Sequence, residues 1–219
     1  MTIEPVAYFR SPLKEKFGIP RQSGLAPSLE GEVHFVPPYD APEAVRGLEG
    51  FDYCWLIWGF SLNAPGQSLT VRPPRLGGNE RVGVFASRSP FRPNGLGLSC
   101  VRIVSVSPGL LKVKGADLAD GTPIFDVKPY VRYADSKPDA HSGFVDESGW
   151  EPLAVEMPDL VAAELGHEGA TALSELLAQD PRPRYQDDPD REYGLLYEHF
   201  NVKFSVSEGK VFVHSLEKC

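Results

Sequence analysis

The chain has 219 residues, a formal net charge of -8 at pH 7, 42% hydrophobic residues and 11% aromatic residues. This composition excludes a disordered chain, and no apolar run is long enough to cross a membrane, so we expect one or two globular domains. The overall acidity argues against a protein that attracts nucleic acid through its long-range field.

The first 134 residues predict a small antiparallel β-barrel. Seven segments read as short strands separated by Gly and Pro: residues 6–10, 31–36, 51–60, 81–86, 99–106, 110–116 and 123–130. In the sixth, Leu111 and Val113 alternate with two lysines, which is typical of a half-buried strand. Residues 41–50 are the one helical window, so turns join most strands and a closed or nearly closed barrel is favoured.

A smaller α+β domain is predicted for residues 145–219, after a polar linker at 133–144. The apolar spacing of 157–185 predicts a helix that Asp159 caps and Pro181 stops. Glycines at positions 166 and 169 are expected to divide it. The alternating segments 200–206 and 210–216 predict a hairpin. The fold class is therefore mainly β, with a barrel domain at 1–134.

The negative charge is regional. Residues 135–198 contain sixteen acids and four bases, whereas residues 1–134 contain fifteen bases and twelve acids. A local basic face could still bind phosphates at short range, because salt screens charges beyond about 10 Å. Residues 70–97 concentrate such charge, with one acid among five arginines: Arg72, Arg75, Arg81, Arg88 and Arg92.

Three polar clusters fall in predicted turns: "FGIPRQSG" (17–24), "SRSPFRPNGLGLS" (87–99) and "GADLADGTPIFDVKPY" (115–130). Asn94 before Gly95 favours a left-handed or tight turn. Taken singly, each cluster could be an ordinary hairpin loop. Together they predict a rim of loops at one end of the barrel, where binding sites usually lie.

Several chemistries are absent from the sequence. It has no Gly-rich dinucleotide fingerprint, phosphate loop or nucleophile elbow, and its five histidines lack metal-ligand spacing, so no metal is expected. The three cysteines are scattered and the start does not resemble a secretory signal. We therefore expect a cytoplasmic protein with reduced thiols.

Five motifs resemble one family: "IPRQSG", "VRPPRLGG", "GVFASRSPFRPNGLG", "DLADGTPIFDVKPY" and "AQDPRPRY". The resemblance is to the TsaA-like, or TrmO, family and runs from about residue 3 to 216. It implies an S-adenosylmethionine-dependent methyltransferase that modifies N6 of threonylcarbamoyladenosine beside the tRNA anticodon. It also implies a β-barrel instead of a doubly wound sheet, and a homodimer with the cofactor near the subunit interface.

The resemblance assigns cofactor contacts by motif: Pro20, Arg21, Gln22, Ser61, Leu62, Arg88, Leu98, Asp117, Leu118, Ala119 and Asp120. Many relatives have His-Gln where this chain has Ser-Leu at 61–62, so the chain departs from the family pattern at those two contacts. Many also have Pro in place of Gly95. An arginine is suited to the carboxylate of the cofactor. The main chain of the 117–120 turn could read the adenine, with Leu98 packed on the ring.

The attacking nitrogen is a poor nucleophile that must lose a proton. We expect Asp126 to act as the base, or Lys128 to stabilise the anion. The alternative for this pair is a simple salt bridge on its strand.

The arginine-rich region gives a hypothesis for RNA binding. Contacts to the anticodon loop are expected from Arg72, Arg75, Arg81, Arg92, Asn94, Arg182, Arg184 and Tyr185. Alternatively, individual arginines could pair with the acidic region of a partner subunit. Two other functions stay open: a methyltransferase for small molecules and an RNA-binding adaptor barrel without a donor site.

Overall fold

The computed structural model describes residues 2–64, 66–76, 80–147, 149, 151–182, 188 and 191–219, and for Arg75 the main chain only. Its strands are β1 (Ala7–Arg10), β2 (Glu30–Phe35), β3 (Tyr53–Gly59), β4 (Thr70–Val71), β5 (Val82–Gly83), β6 (Leu96–Ser107), β7 (Leu110–Lys114), β8 (Pro123–Pro129), β9 (Ala154–Glu156), β10 (Tyr193–Tyr197), β11 (Phe200–Ser207) and β12 (Lys210–Lys218). Its helices are α1 (Pro42–Val45), α2 (Arg132–Asp135), α3 (Phe144–Glu147) and α4 (Asp159–Ala178). Short 3-10 turns cover Leu48–Gly50, Pro74–Leu76, Val84–Ala86 and Pro93–Gly95.

Six strands close into an antiparallel barrel in the order β1-β2-β7-β6-β3-β8. The alternation read from β7 is confirmed: Leu111 and Val113 are buried, while the Lys112 Nζ lies outside, 3.1 Å from Glu32 Oε1. The predicted mainly β class, a small barrel with a C-terminal α+β region, is confirmed.

The prediction of a seventh strand at 81–86 is wrong. Val82–Gly83 pairs only with Thr70–Val71, in a separate two-stranded ribbon, and Val84–Ala86 turns as a 3-10 helix. The physical reason is that Val84 is the one fully buried side chain in this segment. A strand of the barrel wall needs an inward face of several apolar residues.

The C-terminal region is a four-stranded sheet, ordered β10-β11-β12-β9, against which α4 packs. The predicted hairpin is confirmed as β11 and β12, whereas β9 and β10 were not predicted. The prediction that Asp159 caps α4 is wrong. Asp159 is the first helical residue, and the cap position before it is held by Pro158, which makes no side-chain hydrogen bond. The helix breaks at Gly166, where φ is 70° and ψ is 170°.

Residues 11–29, which connect β1 to β2, form a segment that we call the strap. Its apolar side chains Leu13, Ala26 and Leu29 are buried in the core of the C-terminal region, not in the barrel. The main-chain N and the Oγ of Ser28 donate to the two carboxylate oxygens of Glu175 on α4, at 2.7 and 2.9 Å. The strap therefore crosses the predicted 1–134 and 145–219 division, which stays a prediction.

Strand direction brings three connections to the same end of the barrel, which we call the mouth. They are the strap after β1, the β3–β6 loop (residues 60–95) and the β7–β8 turn (residues 115–122). The base of the β3–β6 loop is closed by the Phe60 N–H, which donates to the Gly95 carbonyl at 2.8 Å. The three polar clusters of the sequence thus meet at the mouth.

Candidate active site

Polar side chains from all three connections meet at the mouth. Arg88 of the β3–β6 loop donates from Nη1 to the Oε1 of Gln22 in the strap. The Gln22 Nε2 in turn donates to the Arg21 carbonyl at 2.6 Å. The positive charge of Arg88 also favours the ionised form of Asp117 in the β7–β8 turn. We call Gln22, Arg88 and Asp117 the mouth cluster.

A buried hydrogen-bond chain supports Asp117 from inside the barrel. The indole N–H of Trp58 donates to the Ser99 Oγ at 2.9 Å, and the Ser99 hydroxyl donates to Asp117 Oδ1. Sequence reasoning missed both partners. The one signal for Ser99 is a hydroxyl on the inward face of its strand, in line with the buried Val101, where a buried hydroxyl needs a partner.

The environment of Asp117 makes it a weaker acid than an ordinary aspartate. Burial raises the pKa of this carboxyl above its ordinary value of 3.8, although the Ser99 hydrogen bond and Arg88 act in the opposite direction. The mouth therefore holds a carboxyl whose ionised form is costly in the folded chain.

Asp117 should make the fold less stable as the pH rises. The pKa of Asp117 is higher in the folded than in the unfolded chain. Its contribution to the free energy of unfolding is therefore full below pH 3.8 and is lost as the pH rises through the pKa of the folded chain. Asp117→Asn cannot titrate, so its free energy of unfolding should lack that decline. Urea unfolding of both proteins over a pH series measures the difference; parallel curves would contradict the prediction.

The 117–120 turn can offer a ligand main chain more readily than side chains. Leu118 is 1% exposed and Ala119 is also buried, so both side chains belong to the interior. Asp120 accepts from the Ser11 N–H at 3.1 Å and lies 3.5 Å from Arg10, which fixes the start of the strap. The carboxylate of Asp120 is thus occupied within the protein.

The other predicted cofactor residues lie around the mouth cluster. Pro20 is buried in the strap, and the exposed Arg21 donates from Nη2 to the Asp180 carbonyl at 3.4 Å. Arg21 also lines a cavity of about 380 Å³ between the strap and the end of α4. Ser61 and Leu62 are exposed in the turn that follows β3.

Leu98 and the predicted catalytic pair lie apart from the mouth cluster. Because Ser99 points inward, Leu98 points out from the barrel wall, where it is 57% exposed and lies opposite Ile57. Asp126 lies on the other side of Ile57, and its Oδ2 is 2.7 Å from Lys128 Nζ. The structure brings Leu98 and Asp126 into one row on the outer wall, and does not bring them to Asp117.

The predicted RNA contacts differ in their freedom to bind a ligand. Arg72 and Asn94 are exposed, and Asn94 adopts the expected left-handed backbone with φ of 65°. Arg81 and Arg92 each use one guanidinium nitrogen within the β3–β6 loop, Nε of Arg81 to Thr70 Oγ1 and Nη1 of Arg92 to the Ser87 carbonyl.

The predicted contacts around position 182 receive less support. Arg182 is 12% exposed and binds both carboxylate oxygens of Asp180, at 2.8 and 3.0 Å, an arrangement that favours a structural role. Arg184, Tyr185 and the side chain of Arg75 lie outside the described residues.

Within the described ranges, no group of three or more His, Cys, Asp and Glu side chains could hold a metal ion. Over the same part of the chain, none of the helices is long and apolar enough to cross a membrane.

Comparison with known proteins gives consistent matches. The family model described as "tRNA-methyltransferase O N-terminal domain" matches residues 8–136, and "TrmO C-terminal domain" matches 151–219. The Escherichia coli K12 protein "tRNA (adenine(37)-N6)-methyltransferase" is 41% identical, covering 98% of this chain and 97% of that protein. A Pseudomonas aeruginosa relative, "Putative S-adenosylmethionine-dependent methyltransferase RcsF", is 43% identical over 89% of this chain and 87% of its own.

A solved structure extends these matches to the fold. The crystal structure of TrmO from Pseudomonas aeruginosa superposes with a TM-score of 0.84 at 36% identity, covering 100% of this chain and 97% of that one.

Proposed function

The chain belongs to the tRNA-methyltransferase O family, and we propose that it methylates N6 of adenine 37, beside the anticodon of tRNA, with S-adenosylmethionine as donor. The observation that carries this proposal is 41% sequence identity, over 98% of this chain, with a tRNA (adenine(37)-N6)-methyltransferase. The proposed substrate form is the threonylcarbamoyl-modified adenosine.

The mouth supplies the groups that the donor needs. The exposed guanidinium of Arg21 or Arg88 can bind the carboxylate of the donor, and Gln22 holds Arg88 in place. The main chain of the 117–120 turn is suited to reading an adenine edge, since Leu118 and Ala119 direct their side chains into the interior. When bound, S-adenosylmethionine supplies the activated methyl group.

Alignment of the reacting atoms is the main task of this site, because in-line methyl transfer depends on positioning. The amide-like N6 must also lose its proton. We assign that proton to Asp126, whose Oδ2 lies 2.7 Å from Lys128 Nζ, with Lys128 as the group that stabilises developing negative charge.

A homodimer is part of the proposal. Asp126 and Leu98 lie on the outer wall while Arg88 and Asp117 lie at the mouth, so a second copy placed against the wall could unite the two groups in one site. The wall supports this because it exposes large apolar side chains: Tyr53, Leu96 and Leu98. Such a surface is typical of an interface between subunits.

A cytoplasmic location is also proposed. Cys54, Cys100 and Cys219 are all free thiols, which is the usual state in a reducing compartment.

Binding of the anticodon loop should weaken steeply with salt, because protein cations displace counterions from phosphates. Arg72→Ala should lower the slope of log affinity against log salt by about one unit, since Arg72 is exposed on the β3–β6 loop. Filter binding over a salt series measures the slope. Arg46→Ala, an exposed arginine at the opposite end of the barrel, should leave it unchanged. Salt-insensitive binding by the unmodified protein would contradict an electrostatic RNA site.

Mass spectrometry of tRNA nucleosides tests the function directly. After incubation with a donor carrying an isotopically labelled methyl group, the label should appear on N6 of threonylcarbamoyladenosine from tRNA. Parallel reactions contain tRNA without the threonylcarbamoyl group, and the free modified nucleoside. Label on the unmodified adenosine would reject the proposed substrate form, efficient labelling of the free nucleoside would favour a small-molecule methyltransferase, and no label would favour an RNA-binding adaptor.

A further inference from the structure

The β3–β6 loop exposes large apolar side chains that the site described so far does not use. Leu69 is 81% exposed, Phe85 is 78% exposed and Phe91 is 53% exposed. Single exposed apolar residues are common, but three in one loop at a binding site indicate a surface that contacts a ligand.

The main chain that carries Phe85 is well anchored. Val84 is buried, and its N–H donates to the Leu69 carbonyl at 2.9 Å. The N–H and Oγ of Ser87 both donate to the Val84 carbonyl, at 3.3 and 2.9 Å. The loop therefore holds the backbone of Phe85 while leaving most of its ring in solvent, and the main chain of Leu69 is hydrogen-bonded to the residue next to it.

Two arginines of the β3–β6 loop lie close in sequence to this apolar pair. Arg72 is exposed directly after β4, and the exposed Arg81 directly precedes β5, where its Nε donates to Thr70 Oγ1 at 3.0 Å. An exposed aromatic ring among guanidinium groups is typical of sites for unpaired nucleotides, because bases stack on the ring and arginines bind the phosphates. A partner protein with an uncharged surface would instead remove water from these arginines without pairing their charge, which costs free energy.

From this arrangement we infer that Phe85 and Leu69 form a stacking platform for a base of the anticodon loop next to the target adenine. The inference rests on the proposed function. A base unstacked from its neighbour loses stacking energy, and the Phe85 ring replaces that lost contact while the target adenine reaches the mouth. Phe85 is thereby a positioning residue for the RNA and not part of the donor site.

Three substitutions of Phe85 test the platform. Phe85→Ala should raise the KM for tRNA roughly tenfold, since loss of one aromatic–base stack has an effect of that size. Phe85→Trp should have the same KM as the unmodified protein. Phe85→Leu should have a KM as high as that of Phe85→Ala, because leucine keeps an apolar surface but has no ring on which a base can stack. Tyr39→Ala, which removes an exposed aromatic side chain from the opposite end of the barrel, is the matched control.

Three further measurements locate the effect and check the fold. Calorimetry should give the same affinity for S-adenosylmethionine in all Phe85 variants. An anticodon stem-loop with photoactivatable 5-iodouridine beside the target should crosslink to the unmodified protein at Phe85 and lose that crosslink with Phe85→Ala. Thermal unfolding of Phe85→Ala should match that of the unmodified protein, since the ring is exposed.

The outcomes separate the platform from the function. If the unmodified protein methylates tRNA and Phe85→Ala does so with an unchanged KM, the platform is wrong and the function stands. If Phe85→Ala sediments as a smaller species, the surface is a contact between copies and the platform is again wrong. If the unmodified protein does not methylate tRNA, the proposed function fails and the platform fails with it.

Discussion

Asp126→Ala is expected to lower kcat for tRNA methylation by about 10²–10⁴-fold at saturating tRNA and donor, the usual effect of removing a general base. The lone pair of N6 is delocalised into the ring and the carbamoyl group, so the nitrogen attacks well only as its proton leaves. Single-turnover rates with prebound tRNA measure the step without interference from product release.

Matched variants separate catalysis from structure for this pair. Asp126→Asn keeps the shape of the side chain but accepts no proton, so it should be as slow as alanine. The KM for tRNA should change little in either variant. Loss of the half-exposed ion pair with Lys128 should cost at most about 1 kcal/mol of stability, so both variants should fold. Near-normal turnover by Asp126→Ala would leave the pair as a surface salt bridge.

Arg88→Ala should raise the Kd for S-adenosylmethionine roughly 10–100-fold, because a charge-assisted hydrogen bond contributes about 1.5–3 kcal/mol. The loss also leaves Gln22 without the donor that connects the strap to the β3–β6 loop. Isothermal calorimetry with the donor or with its demethylated product measures the change.

Two controls make the Arg88 result specific. Arg88→Lys should recover part of the affinity, since a lysine keeps the charge but not the forked geometry. Arg46→Ala should bind the donor normally. If Arg88→Ala binds the donor normally but raises the KM for tRNA, then Arg88 serves the RNA and the assignment of the carboxylate passes to Arg21.

The barrel was predictable because its strands carry local signals. β7 shows alternation of apolar and charged residues, and the connections carry Gly, Pro and Asn where turns require them. The segment 81–86 contains enough Val and Phe to resemble a strand, but only tertiary packing determines that Phe85 remains in solvent. Residue composition cannot distinguish an inward phenylalanine from one that the loop exposes.

The candidate site was predictable in its motifs and not in its contacts. The family resemblance selected Gln22, Arg88 and Asp117, which the structure brings together at the mouth. It could not show that Ser99 and Trp58 support Asp117, because these partners are far apart in the chain. Side-chain direction was equally hidden, so Leu98 and Asp117 appeared to share one pocket although they face opposite sides of the wall.

The strap has a consequence for how the protein is made. Ribosomes release residues 11–29 before α4 and β11 have been synthesised, and at about 5–20 residues per second the delay is on the order of ten seconds. During that time Leu13 and Leu29 have no core to enter, although the barrel strands that follow can already pair. A nascent chain is therefore expected to complete its walls before its mouth, and Gln22 of the strap should take its place beside Arg88 once the C-terminal sheet emerges.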